Sequence, residues 1–105
     1  MLSPKEHQKL QTYIRHSDVG PTAAAFDALS EPNRCLIFRA LLKTPKLGVG
    51  ELASIVGISV PLASQHLKIL LNANLVCKEK SGRYVLYCIN DANSLVLALQ
   101  KTIEN

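Results

Sequence analysis

At 105 residues the chain is one domain with a thin core, yet 48% of it is hydrophobic and only 5% aromatic, more aliphatic surface than such a core absorbs. Twelve Lys and Arg against eight Asp and Glu give a net charge of +4 and a pI near 9.1, which favours an anionic partner such as nucleic acid. No apolar run approaches the ~18 residues that span a bilayer, the N-terminus lacks a signal-peptide core, and three scattered cysteines make no disulfide framework.

Ser3-Pro4-Lys5-Glu6 is a capping box with proline at the first helical position, so a helix starts there, with Leu10, Tyr13 and Ile14 on one face. The break at 17–21 is followed by a short helix over 23–29, capped by Thr22. Ser30-Glu31-Pro32 repeats the start signal with Ser30 as cap, and the run 35–42, interrupted only by Arg39, reads as a buried central helix. Thr44-Pro45 ends it. Residues 47–50 read as extended, 51–56 as a two-turn helix stopped by Gly57, and 59–72 as a longer helix capped by Ser59. In that helix Ala63, Leu67, Leu70 and Leu71 face inward, and Asn74 takes the left-handed closing position. Strands over 75–80 and 84–90 flank the turn Ser81-Gly82-Arg83, and a last helix over 91–103 carries Leu95, Val96, Leu99 and Ile103 on one face. The expected class is mainly α with a small β-hairpin.

The informative segment is 51–70. Ala53 is small where two helices cross, Gly57 supplies the sharp turn, Ile58 plugs the space between the helices, and Ser59 starts the second one. This is a helix-turn-helix pattern, whose second helix enters the major groove of DNA. Its outward residues are Ser59, Val60, Pro61, Ser64, Gln65 and Lys68, with His66 alongside. Gln bonds adenine bidentately, Ser bonds several base edges, and Lys68 suits a phosphate; Val60 and Pro61 touch only methyls or sugars, or merely shape the helix start.

Lys78, Lys80 and Arg83 sit on the hairpin against Glu79 alone, so residues 59–90 hold three of the four net charges. The hairpin reads either as a wing reaching the DNA backbone or minor groove, or as a strand pair blunted by lysines against edge pairing.

Ala28-Leu-Ser-Glu-Pro-Asn-Arg34, Val49-Gly-Glu-Leu-Ala53, Ser64-Gln-His-Leu-Lys-Ile-Leu70, Asn74-Leu-Val76 and Gly82-Arg-Tyr-Val-Leu-Tyr87 resemble the ArsR/SmtB family of winged-helix repressors. The similarity runs from about Ala24 to the C-terminus, with the motifs in family order and spacing. It implies one winged helix-turn-helix domain over 1–105, in which 1–21 is an added helix and turn and 22–105 the family core. It also implies a homodimer packed through the first and last helices (Leu10, Tyr13, Ile14, Leu95, Val96, Leu99, Ile103) that binds an inverted-repeat operator in double-stranded DNA and is released by an inducer.

Many members of that family hold soft metals with a Cys-Val-Cys element; here those positions are Gly48 and Gly50. A second branch binds zinc across the terminal helices, but Asp91 is followed by Asn93 where a histidine is needed, and the second pair falls at Glu104 and beyond the chain end. The expectation is no metal at either site and no cofactor. A third branch uses two cysteines as a redox or persulfide switch, which points to Cys35 and Cys88; Cys77 and Cys88 also face each other across the hairpin. Against a switch, an isolated cysteine usually packs as a small hydrophobe. His7, His16 and His66 lie on different elements, and no paired acids, phosphate loop or nucleophile elbow appear, so no enzyme is expected. A reduced, cytoplasmic DNA-binding repressor with no membrane partner is the reading, against a winged-helix protein-interaction module, of which Val60-Pro61-Leu62 is a small sign.

Overall fold

The computed structural model describes the backbone of residues 1–104 and the side chains of 1–103, which leaves the Glu104 side chain outside the described residues. The order is α1 (Pro4–Arg15), α2 (Gly20–Leu29), α3 (Pro32–Lys43), α4 (Val49–Val56), α5 (Val60–Asn72), β1 (Val76–Ser81), β2 (Tyr84–Ile89) and α6 (Ser94–Glu104).

Helix starts follow whichever group satisfies the free N–H groups of the first turn. At α1 the capping box forms in full: Glu6 N donates to Ser3 Oγ and Ser3 N to Glu6 Oε1. Glu6 is held below its ordinary pKa chiefly by that Ser3 backbone donor. Four other starts differ from expectation. Pro21 sits in the first turn of α2, which begins at Gly20 with no side-chain cap, so Thr22 caps nothing. Glu31 rather than Ser30 caps α3, its carboxylate accepting from Arg34 N, while the Ser30 hydroxyl closes α2 by donating to Asp27 O. At α4, Gly48 offers no side chain, yet Glu51 at the third position still accepts from Gly48 N and starts the helix at Val49. Asp91 lies in a turn before α6, and Asn93 Oδ1 instead accepts from Leu95 N.

The central helix α3 carries Ile37, Phe38 and Leu41 into the core, but Leu36 on its far side is 48% exposed, so it is buried along one stripe and not all round. Leu52, Leu67, Leu70, Leu75, Val76 and Val96 join them, with Ala25, Ala28, Ala53 and Ala63 filling the close approaches, all at 3% exposure or less. A Schellman turn ends α5, with Leu75 N bonded to Leu70 O, Asn74 N to Leu71 O, and Asn74 at φ +59°. β1 and β2 pair antiparallel from Val76↔Ile89 to Ser81↔Tyr84, leaving a two-residue turn with Gly82 at φ +63°. A bridge between Leu47 and Tyr87 ties the chain before α4 to the hairpin.

Two expected interface residues are spent elsewhere. Val96 (0% exposed) and Leu99 (8%) turn into this chain's own core, with Leu95 and Ile103 half-buried against it. The stripe on α6 has one face, and the shared core, to which α3 contributes, takes it. By contrast α1 buries none of its residues, and Leu10, Tyr13 and Ile14 stand open. The molecule is accordingly elongated, 60 × 25 × 25 Å with a radius of gyration of 17.5 Å; a compact chain of this length has roughly 13 Å.

Candidate nucleic-acid interface

Helices α4 and α5 meet at 106° across a three-residue break. The turn depends on Gly57, at φ +83° and ψ +36°, a region that costs a side-chain-bearing residue about 1–2 kcal/mol. Gly57 N and Ile58 N both donate to Ala53 O, closing α4, and Ile58 packs half-buried against the core. Ser59 Oγ then accepts from Leu62 N and opens α5, with Pro61 in the first turn, where its missing N–H costs no helical bond.

Ser59, Val60, Pro61, Ser64, Gln65 and Lys68 are exposed, as the pattern predicts. His66 is not: it is only 8% exposed. Ala63, His66, Leu67 and Leu70 fall at i, i+3, i+4 and i+7, the inward stripe of a helix, and polarity alone had placed the imidazole outside.

The polar surroundings of His66 come from the start of α3. Arg34 Nη1 lies 3.4 Å from His66 Nδ1, and because a guanidinium only donates, a hydrogen bond at this contact has Nδ1 as its acceptor. Nε2 stands 3.6 Å from Glu31 Oε2, too long for a hydrogen bond but close enough for attraction. Arg34 Nε also donates to Ala28 O at 2.6 Å, one of the last carbonyls of α2 that no helical N–H reaches. One guanidinium therefore joins the end of α2, the start of α3 and the inner face of α5. Sequence reading gave Glu31 and Arg34 no site role; the stripe through position 66 was the signal that a partner for it had to exist.

On the hairpin, alternation puts Lys78 and Lys80 on one face and Cys77 and Glu79 on the other, and all of Lys78, Lys80 and Arg83 are exposed. Glu79 is held by Lys46 Nζ at 3.2 Å, so the hairpin's one acid is matched from outside and does not offset the cations. Arg83 lies 5.6 Å from the Tyr84 ring centroid, in cation–π range, at the tip. The exposed faces of α5 and the hairpin thus offer polar donors and acceptors on a helix beside an unmatched cationic strand pair.

The cysteines are arranged differently from the expected pair. Cys88 has its sulfur against Cys77, at 2.7 Å, while Cys35 is half-buried on α3. Among the described residues no three His, Cys, Asp or Glu side chains converge as a metal-binding group, and no single helix is long and apolar enough to cross a membrane.

A family model described as bacterial regulatory protein, arsR family, matches residues 31–78, the segment from the Glu31 cap to the first lysine of the hairpin. The HTH-type transcriptional regulator YgaV of Escherichia coli K12 is 34% identical over 82 residues, 77% of this chain and 83% of that protein. Among solved structures, a predicted DNA-binding transcriptional regulator from E. coli superposes with a TM-score of 0.72 at 32% identity, covering 93% of this chain and 96% of its own. NolR from Sinorhizobium fredii does so with 0.69 at 28% identity, covering 98% and 91%. With a helix-turn-helix of its own and this likeness along most of its length, the chain belongs to the arsR family of DNA-binding transcriptional regulators, which are not enzymes.

Proposed function

We propose that this chain is a repressor that binds an inverted-repeat operator as a homodimer, laying α5 of each copy in successive major grooves. Ser64 and Gln65 read base edges, and Lys68 meets a phosphate beside them. Lys78, Lys80 and Arg83 reach the backbone or minor groove as a wing. The observation that carries this reading is the exposed polar face of α5, backed on its inner side by His66 and Arg34, next to a hairpin whose acid is already matched by Lys46. The open apolar face of α1 supports the two-copy assembly.

Metal sensing at the two sites known in the family is not part of the proposal. Gly48 and Gly50 carry no ligand atom, and the Asn93 amide is committed to Leu95 N and Asn74 O. Exposed Val60 and Leu62 favour one other reading, an apolar contact to a protein partner.

Binding to the DNA upstream of the protein's own gene, followed by fluorescence anisotropy, separates the two. Operator binding is expected to fall steeply with salt through counterion release, and Gln65→Ala to lose about 1–3 kcal/mol on the specific site and little on random duplex. Lys80→Ala is expected to weaken both duplexes alike and to lower the salt slope by about 0.9. If neither substitution changes DNA affinity, the protein-partner reading stands in its place.

A further inference from the structure

The function proposed above makes no use of the two cysteines at the base of the hairpin. Cys77 and Cys88 are directly opposed in the strand register, and their sulfurs are 2.7 Å apart. Both are half-buried and lie on the hairpin face away from Lys78 and Lys80. They line an open cleft of about 500 Å³ whose rim includes Pro45, Lys46, Asp91 and Gln100. Solvent-borne molecules therefore reach the pair without passing the DNA-facing surface.

We propose that Cys77 and Cys88 are a dithiol site that takes a hydroperoxide and closes to an intrachain disulfide. Opposed residues of an antiparallel pair have Cα atoms about 4.5–5.5 Å apart, inside the roughly 4.4–6.8 Å span of disulfides, so the bond forms without a slip in register. Charged groups around the cleft, Lys46 with Glu79 and Asp91, sum to a negative balance, so a small neutral oxidant enters more readily than an anionic disulfide.

The two sulfurs differ in role. Burial first, then the hydrogen bond and charge of Cys77, push the Cys88 thiol up to about 11, so at neutral pH Cys88 keeps its proton, and the first attack is assigned to Cys77. The Cys77 thiolate attacks one peroxide oxygen, the O–O bond breaks, and the alcohol (water, for hydrogen peroxide) leaves with the proton that Cys77 gave up. Cys77 is now a sulfenic acid, and its charge no longer adds to the burial that holds the Cys88 thiol up. The Cys88 sulfur attacks Cys77, the S–O bond breaks, and hydroxide leaves as water with the Cys88 proton. Two thiols lose two electrons in all, and one peroxide is reduced.

The experiment needs no DNA, so its failure is separate from failure of the repressor reading. Reduced full-length protein is treated with hydrogen peroxide at neutral pH and analysed by intact mass and peptide mapping. The expected product is lighter by about 2 Da per chain, carries a Cys77–Cys88 link, and returns to the dithiol with a reductant. Cys35→Ser should give the same product. In Cys88→Ser, Cys77 should stop at the sulfenic acid and be trapped by dimedone at least tenfold faster than Cys88 in Cys77→Ser. Wild-type protein that instead forms links through Cys35, or links between chains, overturns the proposal. So does wild-type protein whose Cys77 and Cys88 stay separately alkylatable after Cys35 has been oxidised, a result that no folding defect of a variant can mimic.

Discussion

Replacing Arg34 with methionine isolates what the guanidinium does. The Glu31 cap uses the backbone N–H of residue 34, which methionine keeps, and the thioether side chain retains most of the aliphatic packing of the arginine stem. What is lost is the 2.6 Å bond to Ala28 O and the 3.4 Å contact with His66 Nδ1. The first is a charged bond to an otherwise unpaired helix-end carbonyl in a half-buried place, about 1.5–2 kcal/mol; the second is long and contributes about 0.5 kcal/mol. The sum, roughly 2 kcal/mol, corresponds to a fall in Tm of about 8–16 °C for a domain of this size. Urea unfolding followed by circular dichroism, at one fixed protein concentration because assembly shifts the midpoint, measures it. A double-mutant cycle with His66→Leu should return a coupling near 0.5 kcal/mol. Should Arg34→Met cost less than about 0.5 kcal/mol, with no coupling to position 66, then α5 is not held by this contact and the anchoring described here is wrong.

Two glycines in neighbouring places should respond in opposite directions to the same change. Gly57→Ala meets no neighbouring atom but must hold φ +83°, so it should destabilise by about 1–2 kcal/mol in a denaturant titration. Gly50→Ala also meets nothing and lies in the ordinary helical first turn of α4, so it should stabilise by about 0.5 kcal/mol in the same assay. Ser59→Ala removes the acceptor for Leu62 N and should cost about 1 kcal/mol of stability, restored in large part by Ser59→Asp. Ile14→Asp, placed on a fully open helix face, should leave the core unfolding transition nearly unchanged while sedimentation shows the two-copy species lost.

The helix-turn-helix was legible because its parts are dictated locally. A left-handed turn calls for glycine, and a helix start for a hydroxyl, so Gly57 and Ser59 announce themselves whatever surrounds them. Asn74 and Gly82 are legible for the same reason, each at positive φ. Helix starts without such a side chain were displaced by a residue or more. Gly48 has nothing to cap with, and only the reciprocal acceptor, Glu51, marks α4 as beginning at Val49. Ser30 and Glu31 are adjacent candidates for α3, and the choice between them turns on which one reaches Arg34 N. His66 was misplaced because a polar residue on an inward stripe is recognisable only once its partners, 32 and 35 positions earlier in the chain, are brought beside it. Val96 and Leu99 were misplaced for a related reason: an apolar stripe states that it will be covered, not whether the cover is the same chain or another.

That last distinction is where α1 matters. A twelve-residue helix standing alone is marginal in water, whatever its capping box contributes, because nucleation is costly and so few hydrogen bonds follow. Its sequence nevertheless carries Leu10, Tyr13 and Ile14 on one side, none of them covered by α2 to α6. An elongated shape with an exposed apolar arm is the form expected of half an assembly, since the arm gains its burial only when a second copy supplies the surface. Within the dimer proposed above, the same packing would fix the separation of the two α5 helices, and an operator reads that separation as half-site spacing, about one turn of duplex. The α1 face thus links stability to sequence recognition: a change that loosens it would weaken operator binding without touching any residue that faces the DNA.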